Sequence, residues 1–321
     1  MTSFRMRASI APLFALLIST PAFAGTDTVN NKQQTWAQTR AELNAGLQSV
    51  SKDVTLTTAA INNSFSADLG GAANVNNFQD SWQNASSKLN LNAKDTLGSI
   101  AATAAAIGNS ASISVDSTIP GAGGKSTVNS SQFTHAGVFE SALNMTGANV
   151  TAPEVGGAAI TATSASIANS LNVTGKGDLT SSNLQMFVGD ARSALNVSMQ
   201  NITGDSTLTS AAIGNSASYD VKDAANVNVN NLQMAGYDPR AHANVTLGNI
   251  NGNVTTTAAA ISNSFSLSTL PSTAVLNVNT NQQNRAYNEA IVNLNLGNVK
   301  GSVTATAAAI GNSATISNIV K

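Results

Sequence analysis

The chain has 321 residues, of which 10% are charged and 4% aromatic; it has no cysteine, and its formal net charge is −1. Both fractions are low for an ordinary globular enzyme, and the missing cysteines exclude a disulfide scaffold. Without a basic run, nucleic acid and anionic membrane surfaces are excluded as expected partners.

Residues 1–24 have the order of a secretory signal peptide: Arg5 and Arg7, an apolar stretch Ile10–Ile18, then Ala22-Phe23-Ala24 as a small-x-small cleavage site. That stretch is too short for a membrane span, and no later segment is long and apolar enough to form a transmembrane helix. The reading is export to the outer surface or surroundings of a bacterium. The mature chain then has thirteen basic and sixteen acidic residues, a net charge of −3.

From residue 25 to residue 321 one unit recurs six times, marked by Ile61, Ile107, Ile167, Ile213, Ile261 and Ile310. The markers stand 46, 60, 46, 48 and 49 residues apart, and each is followed two residues later by Asn-Ser: Asn63, Asn109, Asn169, Asn215, Asn263 and Asn312. A second column lies 28 residues before the marker in five units and 35 before it in the third: Gln33, Gln79, Gln132, Gln185, Gln233 and Gln282. The longer step is assigned to a loop insertion around Thr151–Gly157. A third column comprises Asn44, Asn90, Asn196, Asn244 and Asn293, with aliphatic positions such as Leu47, Met199, Leu247 and Leu296 between the columns. A fixed period of this length means one supersecondary unit copied and stacked.

Within a unit the residues alternate, as in Asn293-Leu294-Asn295-Leu296 and Val303-Thr304-Ala305-Thr306. Period two with Val, Ile and Thr predicts strands, in pieces of about four to eight residues. Gly297-Asn298 and Lys300-Gly301 read as turns. Leu296 and Ile310 share a parity that Val299 and Val303 do not, so one straight strand cannot bury both sets and the chain must turn between them. The predicted fold is all-β: a single elongated β-solenoid of six repeats of about 48 residues, each one large coil or two smaller ones.

The Gln and marker Asn columns predict structural ladders or turns, since identical amides stacked about 4.7–4.8 Å apart hydrogen-bond along the stack. The rival reading of these columns is a ligand-binding row. Metal ligation would need aspartate and glycine at short fixed steps, and no such run occurs; no cofactor and no catalytic residue are expected. Asp238-Pro239-Arg240 with His242 reads as a solvated loop. After each glutamine a variable arc carries Trp36, Trp82, Phe133, Phe139, Phe187, Tyr237 and Tyr287, with Arg40, Arg192, Arg240 and Arg285 nearby. Trp36, Trp82, Phe187, Tyr237 and Tyr287 are the candidates for a surface-binding stripe that stacks on sugar rings or a partner protein. Alternatively, each ring plugs the corner of its own coil.

Ile107-Gly108-Asn109-Ser110-Ala111, Ile213-Gly214-Asn215-Ser216-Ala217 and Ile310-Gly311-Asn312-Ser313-Ala314, with the Gln and Asn columns, resemble the repeats of secreted bacterial curlin-type proteins, including those associated with holdfast anchoring. The unit here is about twice the curlin length, and its glutamine lies outside the arm that carries the asparagine. Ala-Ile-Gly-Asn-Ser is also similar to head repeats of trimeric autotransporter adhesins, which have a much shorter period. The curlin resemblance implies a secreted structural or adhesive protein of a surface fibre, biofilm matrix or holdfast anchor. Its expected partners are further copies or related β-repeat proteins, joined at strand edges, and polysaccharide. The alternatives are a polysaccharide-active or polysaccharide-binding β-helix protein and an outer-membrane β-barrel.

Overall fold

The computed structural model describes residues 17–18, 27–118, 124–154, 156–270 and 275–318. Apart from Leu17–Ile18, the leader reading therefore lies outside the described residues. Every described element is a strand, and every pairing is parallel. Transmembrane barrels pair antiparallel neighbours, so the parallel topology goes against the barrel alternative.

Each repeat forms one coil, which settles the choice between one coil and two. The first coil contains β2 (Asp27–Thr35), β3 (Thr39–Gln48) and β4 (Val54–Leu69). The second contains β5 (Ala73–Ser81), β6 (Ala85–Leu97) and β7 (Ile100–Asp116). In the third and fourth, the first two strands run together as β8 (Lys125–Thr151) and β10 (Asp178–Thr203), followed by β9 (Ala158–Lys176) and β11 (Asp205–Lys222) respectively. The fifth has β12 (Asn226–Ala235), β13 (Pro239–Asn251) and β14 (Val254–Leu270), and the sixth β15 (Val275–Asn284), β16 (Glu289–Val299) and β17 (Val303–Asn318).

Marker strands stack in the order β4-β7-β9-β11-β14-β17, with the two-residue β1 (Leu17–Ile18) on Ser66 and Ala67 of β4. The Gln and Asn strands form the opposite wall. Strands reach 27 residues in β8, well beyond the expected four to eight. The bends that divide the sequence into short pieces are carried inside a parallel ladder whose backbone is bonded to coils on both sides. Thr306–Ile310, alanine-rich, is part of strand β17.

One bend falls at the same place in every coil. Ser49, Asp95, Asn149, Asn201, Asn249 and Asn298 all have φ between 53° and 60°, the left-handed region that Asn and Asp tolerate best. Asn298 thus supplies the positive φ expected near Gly297. Gly301 has a different reason: a Cβ there would stand 2.2 Å from the Gly252 carbonyl oxygen of the coil beneath. The insertion lies largely where expected. Paired residues of coils two and three are 53 apart in sequence before the first corner, 54 after it and 60 beyond residues 152–157.

Between the two walls lie three apolar zones. Leu89, Leu143, Leu195, Ile160 and Ile202 fill one end, Val75, Val128, Leu171, Val173 and Phe265 the other, and Ala106, Phe139, Phe187, Ala212 and Ala260 lie in a third zone. The marker isoleucines are not in this core. Ala60, Ala106 and Ala212 point inward and the next residue, the isoleucine, is only half-buried. In coil two, residues 108 and 109 are both buried, so parity reverses there. A Cβ on Gly108 would stand 2.8 Å from the Phe139 ring, and one on Gly214 2.7 Å from Phe187. The reversal turns each marker asparagine to the interior.

Candidate functional site

The polar interior is built by two columns of amides on facing walls. Gln79 Nε2 donates to Gln33 Oε1 at 2.8 Å, and the same bond repeats from Gln132, Gln185, Gln233 and Gln282, each to the coil before it. The amide of each glutamine also donates across the interior to a serine carbonyl of the marker strand, from Gln33 to Ser64 through Gln282 to Ser313.

The marker asparagines run the other way. Asn63 Nδ2 donates to Asn109 Oδ1 at 2.7 Å, and Asn109, Asn169, Asn215 and Asn263 each donate to the coil that follows. Each also donates to a backbone carbonyl on the Gln wall, such as Asp80, Phe133, Met186 or Met234. The two walls are therefore stitched through their amides, and the marker asparagines are ladder residues rather than turns. A third ladder runs outside, from Asn293 through Asn244, Asn196, Asn144 and Asn90 to Asn44. Asn144 completes the one gap that the sequence left in this column.

The ring stripe resolves into separate pieces. Trp36 and Trp82 stack with centroids 5.0 Å apart and planes 8° apart, and Trp82 stacks on His135 at 3.9 Å and 12°. Trp82 Nε1 donates to Asp80 Oδ2 at 2.8 Å, and His135 Nε2 lies 3.0 Å from Asp80 Oδ1, so the buried Asp80 carboxylate ties two coils. His135 belongs to this column as well. The signal was present: Trp36, Trp82 and His135 all stand three residues after the ladder glutamine. Tyr237 and Tyr287 are exposed at the same corner in coils five and six, but one and two residues further along. Phe187 does not belong to the stripe. It is fully buried against Gly214, as is Phe139 against Gly108.

Stacking along the axis uses up the ring faces. Trp82 is sandwiched, and its edge faces solvent; Trp36, 63% exposed, keeps one face open toward the first-coil end. A sugar ring binds an aromatic through its face, so this column does not form a lengthwise platform for polysaccharide.

The remaining charged cluster lies outside the Asn wall. Arg192 pairs with Asp190, Arg240 with Asp238 at 3.0 Å, and His242 with Glu289. Arg192, Arg240 and His242, with Glu140, border a shallow recess of about 260 Å³. The loop reading of Asp238-Pro239-Arg240 holds only for Asp238, since Pro239 opens β13. Among the described residues, no group of three or more acids and histidines is placed to hold a metal ion. No described helix is long and apolar enough to cross a membrane.

A family model described as HfaD, holdfast attachment protein D, matches residues 50–321. No curated protein matches the chain, and no solved structure does.

Proposed function

Because the chain belongs to the holdfast attachment protein D family, whose members are cell-surface attachment components of bacteria, we propose that it is an exported structural and adhesive β-solenoid without catalytic activity. In this reading it anchors a holdfast or a comparable surface matrix, and further β-repeat chains dock on its strand edges in the manner of a curli-like fibre. The observation that carries the proposal is the pair of amide ladders running unbroken through all six coils. They commit the polar interior to holding the coils together, and they stop at the first and last coils, where β2, β3, β15, β16 and β17 have a described neighbour on one side only.

Polysaccharide remains a partner in this proposal through hydrogen bonds from the arginines at the corners and through the exposed rings of Trp36, Tyr237 and Tyr287.

An epitope inserted between the exposed Pro153 and Glu154, in the loop before β9, tests export. Intact cells should bind the antibody, and loss of the gene should lower retention of cells on a surface under flow, with recovery on complementation. Labelling only after lysis, or unchanged retention without the gene, would overturn the reading.

A further inference from the structure

The recess in the outer face of the Asn wall has a cause in the sequence. Glu42, Lys88, Ala142, Ala194, His242 and Ile291 are in register, one from each coil. Coils three and four thus carry a methyl group where their neighbours carry long side chains, and Ala194 lines the hollow that results. At about 260 Å³ it is smaller than the roughly 300–1,000 Å³ of a pocket that encloses a whole small molecule. It suits one ring of a longer ligand whose remainder lies outside.

The polar groups around it are set in advance. Arg192 pairs with Asp190 and Arg240 with Asp238, in each case an acid two residues earlier in the chain. Asp238 is fixed in turn, because its Oδ1 accepts the Tyr287 backbone N–H at 2.8 Å. The two arginine side chains stay 49% and 42% exposed, so N–H groups are left for a ligand and their aim is already fixed. Among the described residues the Glu140 carboxylate is in no ion pair. The recess therefore offers cationic donors beside an anionic acceptor. Glu140 would repel a carboxylate ligand, and the arginines would repel an ammonium group. Neighbouring hydroxyls suit both, since a hydroxyl accepts from a guanidinium and donates to a carboxylate.

Two tyrosines border the same corner. Tyr237 directly precedes Asp238, Tyr287 stands two residues before Glu289, and each is more than half exposed. Trp82 spends both of its faces on stacking, whereas among the described residues neither tyrosine stacks on another ring. An open aromatic face takes the apolar face of a sugar ring, with polar groups close by for its hydroxyls.

Resting on the attachment reading above, we infer that this corner of coils three to six is a sugar-binding site, and that its ligand is a polysaccharide of uncharged hexose units. One unit enters the recess with adjacent hydroxyls on Arg192, Arg240 and Glu140. Further units run over the tyrosine rings.

The test applies the full chain, purified from the cell surface, to a microarray of oligosaccharides made of neutral hexoses, of uronic acids and of unacylated amino sugars. Binding should be confined to the neutral set. For the neutral oligosaccharide bound best, Arg240→Ala should raise the Kd by roughly tenfold or more, and Tyr287→Ala by several-fold. Ala194→Ile closes the hollow with the side chain that coil six already carries in that column, Ile291, so binding should vanish while the melting temperature holds. Lys222→Ala removes an equally exposed charge, paired with Asp220 on the marker wall, and should bind like the parent. A parent that binds no neutral oligosaccharide, or only charged ones, would overturn the inference. So would Arg240→Ala or Ala194→Ile binding like the parent, or an equal loss in Lys222→Ala. In each of these cases, normal retention of parent cells under flow would leave the attachment reading standing.

Discussion

An amide in this protein is valued by what lies on either side of it. Asn169 takes the Asn109 donor, gives its own to Asn215, and also serves the Met186 carbonyl. Replacing it with alanine strands buried partners, and each such group costs about 1–3 kcal/mol. Asn312, at the exposed end, has partners that water can replace. Chemical denaturation should therefore show a clear loss for Asn169→Ala or Asn215→Ala and close to none for Asn312→Ala. Carboxylates add an acid limit. Burial raises the Asp178 pKa, but the Asn226 amide, the backbone N–H groups of Asn226 and Ala225 and the Lys125 charge outweigh it and hold the carboxyl below its ordinary value. Asp53 is held low by the backbone and side chain of Ser99 in the next coil. A depressed carboxylate stabilises the fold above its unfolded pKa, and the contribution is lost as pH falls through the folded value. Stability should be level down to about pH 5 and decline below about pH 4, and Asp178→Asn should lessen that decline. At this scale the sequence was informative, because identical residues at a fixed period can only meet one another. Its silence concerned Asp80, which meets Trp82 and His135 by three-dimensional contact and not by repetition.

A strand here is set by both its bends and its pattern. The alternation of Val303–Thr306 identified β17 as a strand, but the marker isoleucine, the most regular residue in the chain, misled about the face. The extra buried residue at 108 or 214 reverses the parity, and nothing in a period-two pattern announces such a reversal. Glycine at those two positions gives room to Phe139 and Phe187. Gly214→Ala should cost about 1–3 kcal/mol by overpacking, with Phe187→Leu in the same chain recovering part of it in thermal melts. Gly46→Ala, where an added methyl meets nothing within 4 Å, should leave the melting temperature nearly unchanged. The burial of Phe187 matches the alternative in which a ring plugs its own coil: it stands two residues from the interior Gln185 in an uninterrupted strand, so both face inward.

Over the whole molecule, stability follows the stack. Each coil touches mainly its two neighbours, so its contribution is that of one unit and one interface. Deleting residues 178–225 joins Gly177 to Asn226, which occupies the register place of Asp178, and removes Phe187 together with Gly214. This shortened chain should fold with the β-type circular dichroism of the parent and a lower melting point. Deleting only 178–201 breaks the frame and should give no folded product. Fold class and repeat number were legible from the period alone. The choice of one coil over two was not, because parity requires a turn without saying how far the chain travels before it returns.

The parallel pairing also decides how the protein meets a mechanical load. Backbone bonds between coils point along the stack, so a pull applied evenly across one end is shared by every bond of an interface, and these must stretch together before any gives way. The same pull applied to a terminal strand alone peels bonds singly, as a zip opens. An anchor held by its whole end surface, and not by its chain terminus, is thereby placed in the stronger of the two loading directions.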